Sequence, residues 1–454
     1  MKPLFLTITA ADWFGLHRSL FTSDGHENAG VLLCGRVETE RTRRLLVRSF
    51  VPVPVGRYTK RQAYHLEIAP SFYNEIISNC LKDGLSPVIV HSHPHHGEAQ
   101  YSDSDDFGEK RLLGALQALL PQSWPASLVV THDAVAGREL GPGGFVTLAG
   151  LTVSGSRIQK HVFGQSPLKE TDVVRFDRQV RAFGDEGQRL ISSLHVGIIG
   201  VGGIGSLVAE QIARLGVEHL ILVDDDSVEA TNLNRLVGAA TQDVGELKAT
   251  VIAKHVSAIG LGRVRTILDS AIRQSVLLQL RECDLVFLCV DNDRTRALLN
   301  RFAHQYLIPV IDHGTRLDGR IGVISAAAGR VSVTGAGFTC LRCSHHLNPE
   351  RIRVESMPKD ERGKLQQEGY IMGIDEPAPA VITINTVIAG LGATAGINLF
   401  VSLTGKPQPL NQIYDATSGV VFTVNPIHEP GCDICDNNSG VKALGDNQIV
   451  SAYD

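Results

Sequence analysis

The chain lacks a strong charge of either sign. Across 454 residues, 43 Lys and Arg stand against 48 Asp and Glu, a formal net charge of -5, which gives no reason to expect a nucleic-acid partner. The one locally basic stretch, Arg36 to Arg48, contains Glu38 and Glu40 and is broken by apolar residues, so it reads as a solvated hairpin and not as a phosphate-binding patch. A disulfide framework is also lacking: four of the eight cysteines fall in two distant Cys-x-x-Cys pairs, which suits metal better. Met1 to Ala10 has one lysine and too short an apolar run for a secretion signal. The uncharged stretch Val381 to Leu403 is long enough for a bilayer, yet Thr383, Asn385, Asn398 and several glycines interrupt it and no basic flank adjoins it. It reads as a buried helix whose small residues permit close packing. The expectation is a cytoplasmic protein with no membrane partner.

What is present is enough apolar residue for more than one core, since this length exceeds an ordinary domain. Val31–Cys34 and Leu45–Val47 read as strands, Phe72–Leu81 as a helix, Val88–Val90 as a short buried strand and Lys110–Leu120 as a helix. A turn-rich Gly137–Gly144 leads into a last strand, Phe145–Val153. From Arg175 the rhythm becomes strand–helix alternation, with His195–Gly200, Ser206–Leu215 and His219–Asp224, the mark of a parallel sheet covered by helices. The expected fold class is α/β: an N-terminal α+β domain with a mixed sheet over 1–155, a linker over 156–174, a Rossmann-like parallel-sheet domain over 175–440 and a loose tail over 441–454.

His91 and His93 flank Ser92 at a strand end, so both imidazoles project from one side. Two histidines and a carboxylate make a three-ligand set for catalytic zinc, with the fourth position left for water. The other reading is an ordinary polar loop, with Ser102 and Asp105 as the ends of a capping box. His91-Ser92-His93-Pro94 followed by Ser102-x-x-Asp105 resembles the JAMM (JAB, MPN) metallopeptidase family, and Glu27-Asn28-Ala29-Gly30 before an apolar strand matches that family's upstream Glu-x-x-Gly. The resemblance covers about residues 1–150. It implies a JAMM-type fold in which His91, His93 and Asp105 hold zinc, Glu27 takes a proton from water and Ser102 donates to the oxyanion. The loop from His93 to Ser102 is one residue longer than the usual family spacing, which leaves Asp103 and Asp106 as competing ligands. His95 and His96 in that loop read as exposed.

Gly200-Val201-Gly202-Gly203-Ile204-Gly205 lies between a strand and a helix, where glycines let the backbone approach a phosphate at a helix N-terminus. Asp224-Asp225-Asp226 ends the next strand, at the distance of a ribose-binding carboxylate. On this alone a nicotinamide or flavin enzyme is a fair reading. Asn232, Arg235 and Lys248 add groups that suit a triphosphate, and Asp291 sits at another strand end where a magnesium ligand belongs. The ensemble, with the lead-in Arg175-Phe176-Asp177-Arg178-Gln179, resembles the ThiF/MoeB/ubiquitin-activating superfamily over about residues 170–435. That resemblance implies ATP- and magnesium-dependent adenylation of a terminal glycine on a ubiquitin-like or sulfur-carrier protein. Gly200, Gly202, Gly203 and Gly205 would form the nucleotide turn, and Asp224 would bind ribose with Asp226 nearby. Asn232, Arg235 and Lys248 would hold the phosphates, Asp291 the magnesium, and Arg178 would reach the ATP of a second copy in a homodimer.

Cys340, Cys343, Cys432 and Cys435 read as a closed structural zinc site. Thioester-forming relatives carry a nucleophilic cysteine beyond the first such pair, and between Ser344 and Ala380 this chain has none. The other four cysteines read as structural, so activation is expected to stop at the acyl adenylate. The leading expectation is a bifunctional enzyme that trims or deconjugates a ubiquitin-like protein and adenylates its terminus, with a conjugating enzyme as a further partner. The alternative is processing and activation of a sulfur carrier. A non-catalytic scaffold and an NAD-dependent reductase are the remaining readings.

Overall fold

Period-2 alternation of aliphatic residues dominates the first third of the chain and sets two faces for its sheet. The computed structural model describes residues 1–63, 65–163, 173–259, 262–320, 323–335, 337–368, 379–403, 405–406, 409–436 and 440–450. Two units form, Met1–Pro167 with Val441–Ile449, and Leu168–Gly440 with Val450–Asp454.

In the first unit β1 (Leu4–Thr9) runs into α1 (Ala10–Leu20), whose first turn the Thr9 hydroxyl caps. Strands β2 (Ala29–Glu38) and β3 (Arg43–Pro52) form a long hairpin, and β4 (Tyr58–Gln62) with β5 (His65–Ile68) a small separate one. Then follow α2 (Pro70–Asp83), β6 (Ser86–Ser92), α3 (Asp103–Leu119), β7 (Ala126–Val130), β8 (Val135–Gly141), β9 (Gly144–Thr147), β10 (Gly150–Ser154) and β11 (Gln159–Val162). The main sheet has the order β11-β10-β1-β3-β2-β6-β7-β8-β9 and is mixed. Alternation along β2 feeds both faces: Leu32 and Cys34 pack with Leu16 and Leu20 of α1, whereas Val31 and Leu33 pack with Phe72, Ile76, Leu113 and Leu116 of α2 and α3.

Several expectations need correcting here. Gly137–Gly144 is mostly strand, because Gly137 is small where a Cβ would lie 2.8 Å from both Leu128 and Leu148. The basic hairpin exists but is not solvated throughout: Arg43 is buried and pairs with Glu139 at 2.6 Å. Within the stretch read as a linker, β11 pairs antiparallel with β10, while residues 164–172 lie outside the described residues. Val441–Ile449, from the stretch read as a tail, packs on the first unit. Asp446 N–H donates to the Arg36 carbonyl at 2.6 Å, the Lys442 ammonium meets Asp12 at 2.5 Å, and Ala443 is fully buried.

In the second unit α4 (Val173–Ser193) is two helices meeting at Gly184, whose φ of +72° suits glycine. Strand–helix alternation follows: β12 (His195–Ile199), α5 (Gly203–Arg214), β13 (His219–Val223), α6 (Lys248–Ala258), β14 (Arg263–Ile267), α7 (Gln274–Leu280), β15 (Leu285–Leu288), α8 (Asp293–Tyr306) and β16 (Val310–Arg320). The chain returns through β17 (Val323–Thr334), α9 (Pro349–Glu355), α10 (Lys359–Gln367), α11 (Ile382–Asn398), β18 (Asn411–Asp415) and β19 (Val420–Thr423). The sheet order is β14-β13-β12-β15-β16-β17-β18-β19. Its first five strands are parallel, as the alternation predicts; the last three are an antiparallel extension that periodicity did not foretell. Helix α11 comes from the uncharged stretch and owes its close approach to glycine. A Cβ on Gly392 would lie 1.8 Å from His313 Nε2, and one on Gly396 would lie 2.7 Å from Phe287. Among the described residues no helix is long and apolar enough to cross a membrane.

Candidate functional sites

In the first unit, pairing of β6 with β2 and β7 delivers His91 at the strand's end and His93 just beyond it. Ser102 caps α3, and the first turn of that helix presents Asp105. The ligand atoms of His91, His93 and Asp105 lie within 4.8 Å of one another. Nε2 of His91 and Nε2 of His93 each sit 3.4 Å from an Asp105 oxygen. Tetrahedral zinc with bonds of about 2.0 Å needs ligand atoms roughly 3.3 Å apart, so the three residues fit the ion. Nε2 of His91 is buried without a hydrogen-bond partner, a cost that a bound cation would remove.

Asp105 is held well below the usual carboxylate range: burial opposes this, but the two imidazoles and the Ser102 N–H outweigh it. Glu27 is buried 3.9 Å from His93 Nε2, and that burial raises its carboxyl above the ordinary value despite the neighbouring histidines. The Ser102 hydroxyl donates to Asp105 Oδ2 at 2.8 Å, and the Asp105 N–H donates back to Ser102 Oγ at 3.2 Å. Of the competing ligands, Asp106 pairs with Arg138 and Asp103 is exposed. His96 is exposed on Asp133 and stacks with His132. Sequence reading missed two buried residues behind His91, Glu109 and Arg138; the only signal was that Glu109 lies one helical turn after Asp105.

In the second unit the strand order reverses between β12 and β15, the place where open α/β sheets bind ligands. The glycine-rich turn leaves β12 there. Gly200 has φ +78°, and a Cβ on Gly205 would fall 1.8 Å from the Gly200 carbonyl oxygen. Gly205→Ala is therefore expected to cost about 1–3 kcal/mol through overpacking, measurable as a lowered thermal midpoint of the full chain. Gly202 caps α5 without a side-chain bond, leaving backbone N–H groups at that end for an anion.

Asp224 braces the turn, accepting from Val201 N–H at 2.8 Å and Asp226 N–H at 2.9 Å, and its carboxyl is raised by burial. The Lys248 ammonium meets Asp226 at 2.8 Å. The Arg235 stem passes beside Gly203, and its guanidinium donates to Thr231 O at 2.7 Å. Asn232 Oδ1 accepts from Glu229 N–H at 3.2 Å. Asp291 is exposed just past β15, its carbonyl held by Arg351 at 2.7 Å, and Arg178 is exposed on α4. Buried Asn385 of α11 also reaches Gly203, and its Oδ1 has no partner; from sequence it registered only as a polar interruption.

Cys340 and Cys432 place their sulfurs 3.7 Å apart, as do Cys343 and Cys435. Tetrahedral zinc with bonds of about 2.3 Å to sulfur requires roughly 3.8 Å, so this quartet fits a structural ion. Cys34, Cys80 and Cys283 are buried. Cys289 is half-buried, its sulfur 3.6 Å from His313 Nδ1, and burial pushes its thiol far up. A buried, protonated thiol is a poor nucleophile. The cysteine-free segment Ser344 to Ala380 includes 369–378, which lie outside the described residues.

These features define a doubly wound unit with a glycine-rich turn at its switch point. Residues 176–433 match the ThiF family, and the chain belongs to that family. It is 26% identical over 281 residues to the adenylyltransferase and sulfurtransferase MOCS3 of Caenorhabditis briggsae, covering 61% of this chain and 63% of that protein. It is 30% identical over 203 residues to the tRNA threonylcarbamoyladenosine dehydratase of Escherichia coli, covering 44% of this chain and 71% of that one. It is 28% identical over 277 residues to the sulfur carrier protein adenylyltransferase of Thermus thermophilus, covering 60% and 94%. All three alignments are too short to span both units.

Proposed function

We propose that the second unit adenylates the C-terminal carboxylate of a small sulfur-carrier or ubiquitin-like protein. The observation that carries this is the switch point between β12 and β15: the start of α5 has no side-chain cap, the Arg235 stem lies beside Gly203, Lys248 pairs with Asp226 next to the Asp224 that braces the turn, and Asp291 follows β15. The carboxylate oxygen attacks the α-phosphorus of ATP, the bond to the β-phosphate breaks, and pyrophosphate leaves. Arg235, Lys248 and the α5 N–H groups offset the phosphate charge. Asp224, with Asp226 nearby, would bind the ribose. Asp291 would hold magnesium, which when bound neutralises phosphate charge. Arg178 would reach into the crevice of a second copy in a homodimer. The family's adenylyltransferases favour a carrier protein serving sulfur transfer, and the net charge of -5 favours a protein carboxylate over one on tRNA. With every described cysteine buried, half-buried or in the metal quartet, the adenylate would pass directly to an external thiol, sulfide or amine.

The test is pyrophosphate exchange by the full chain with ATP, magnesium and small carrier proteins ending in glycine. Exchange that depends on the carrier's terminal glycine is expected, along with a carrier–AMP adduct by mass. Exchange with unmodified carriers absent, but present with a tRNA bearing a carboxylate, would shift the reading to the nucleic acid.

The geometry of His91, His93 and Asp105 favours a second activity, zinc-dependent amide hydrolysis in the first unit. This reading rests on that geometry alone. Zinc there would polarise a water and the scissile carbonyl. Glu27 would take the water's proton and pass it to the leaving amine, while Ser102, whose hydroxyl donates to Asp105 here, would have to turn from that carboxylate to donate to the oxyanion. The substrate proposed for it is the same carrier, extended past its glycine or conjugated through it.

A further inference from the structure

Glu109 lies one turn after Asp105 on α3, so both face the metal site. It is 7% exposed. One of its oxygens, Oε2, accepts from the Ser127 hydroxyl at 2.6 Å and from Arg138 Nε at 2.9 Å. The other, Oε1, has no hydrogen-bond partner and stands 3.7 Å from Nδ1 of His91. Arg138 is itself clamped: its guanidinium lies 3.6 Å from the Tyr101 ring centre and 3.7 Å from that of Phe145, and it also pairs with Asp106. A carboxylate buried this deeply is costly unless paired. Arg138 supplies the pairing, yet it occupies one oxygen and leaves the other turned to His91.

We propose that Glu109 is a positioning residue for His91, holding that ring for the ion through its far nitrogen. A carboxylate beside Nδ1 keeps the ring proton there, so the Nε2 lone pair points at the space shared with His93 and Asp105. At 3.7 Å the approach of Oε1 to Nδ1 is an electrostatic contact and not a hydrogen bond. Arg138, sandwiched between two rings, fixes the carboxylate, and Ser127 on β7 ties it to the strand beside β6. The inference rests on the reading of His91, His93 and Asp105 as a zinc site.

The experiment measures zinc affinity of the full chain by chelator competition, with the cysteine-held zinc as an internal reference. Wild type should bind a second zinc that His91→Ala loses. Glu109→Gln and Glu109→Ala are expected to weaken that zinc by about 10–100-fold, as loss of a partner behind a metal ligand does, while Asp103→Asn leaves it unchanged. A purely structural role, balancing Arg138, is separated by the double variant Glu109→Leu/Arg138→Met. It removes both buried charges and should restore the metal-free thermal midpoint without restoring zinc affinity. Unchanged affinity in Glu109→Ala, or recovery of affinity in the double variant, overturns the positioning role. Absence of a His91-dependent zinc in wild type overturns the metal reading itself, and with it the inference.

Discussion

Lys248→Ala is expected to lower carrier-dependent pyrophosphate exchange by about 10²–10³-fold, the usual effect of losing one pre-placed charge at a transferring group. Lys248 opens α6, and its backbone N–H already bonds the Asp226 carbonyl at 2.9 Å, so the helix start is anchored whatever the side chain does. Its side chain is 14% exposed, and its ammonium is held at 2.8 Å by the carboxylate of Asp226, whose side chain is 69% exposed. The charge is thus positioned in advance and shared with a partner that can swing into water. Removing it should leave the fold intact, because Asp226 becomes merely a solvated carboxylate. The thermal midpoint should stay unchanged while exchange collapses. Asp291→Ala provides the companion test: exchange that survived it would remove the magnesium assignment, whereas loss of exchange with ATP still bound would support it.

Glu27→Gln is expected to cut the amide hydrolysis proposed for the first unit by about 10²–10⁴-fold, the contribution of a positioned proton shuttle. Glutamine keeps the shape and the hydrogen-bonding oxygen but cannot carry the proton. Glu27 is held by its backbone N–H to the Gln62 carbonyl at 3.0 Å, and its carboxylate is 3.9 Å from His93 Nε2. Zinc content should therefore be unchanged, because His91, His93 and Asp105 remain. The measurement pairs metal analysis with cleavage of a carrier fusion at its terminal glycine. Cleavage at the wild-type rate by a zinc-loaded Glu27→Gln chain would show that this residue is not the shuttle.

The features that sequence made legible share one property: each depends on neighbours along the chain. His91 and His93 share a side because residues two apart in a strand do. Ser102 and Asp105 cap α3 together because three residues span a helix's first turn. The Gly200 to Gly205 spacing requires a tight strand-to-helix turn, and the structure uses Gly200 and Gly205 for a contact that no Cβ could share. The hairpin over Arg36 to Arg48 was legible for the same reason, but burial of Arg43 was not, since Glu139 comes from β8.

The sequence by itself thus determined the alternation of strand and helix, the His-x-His and glycine-rich turns, and the two Cys-x-x-Cys pairs. Only the tertiary structure decided which partners meet across the chain. Sulfurs 92 residues apart come within 3.7 Å. Arg138 folds back onto Glu109 behind His91, and Asn385 of α11 lands beside Gly203. Val441–Ile449, read as a tail, packs on β2. The physical reason is that backbone periodicity is a local property, whereas a buried charge or metal ligand is satisfied by whichever distant residue sheet order and register bring within hydrogen-bond reach.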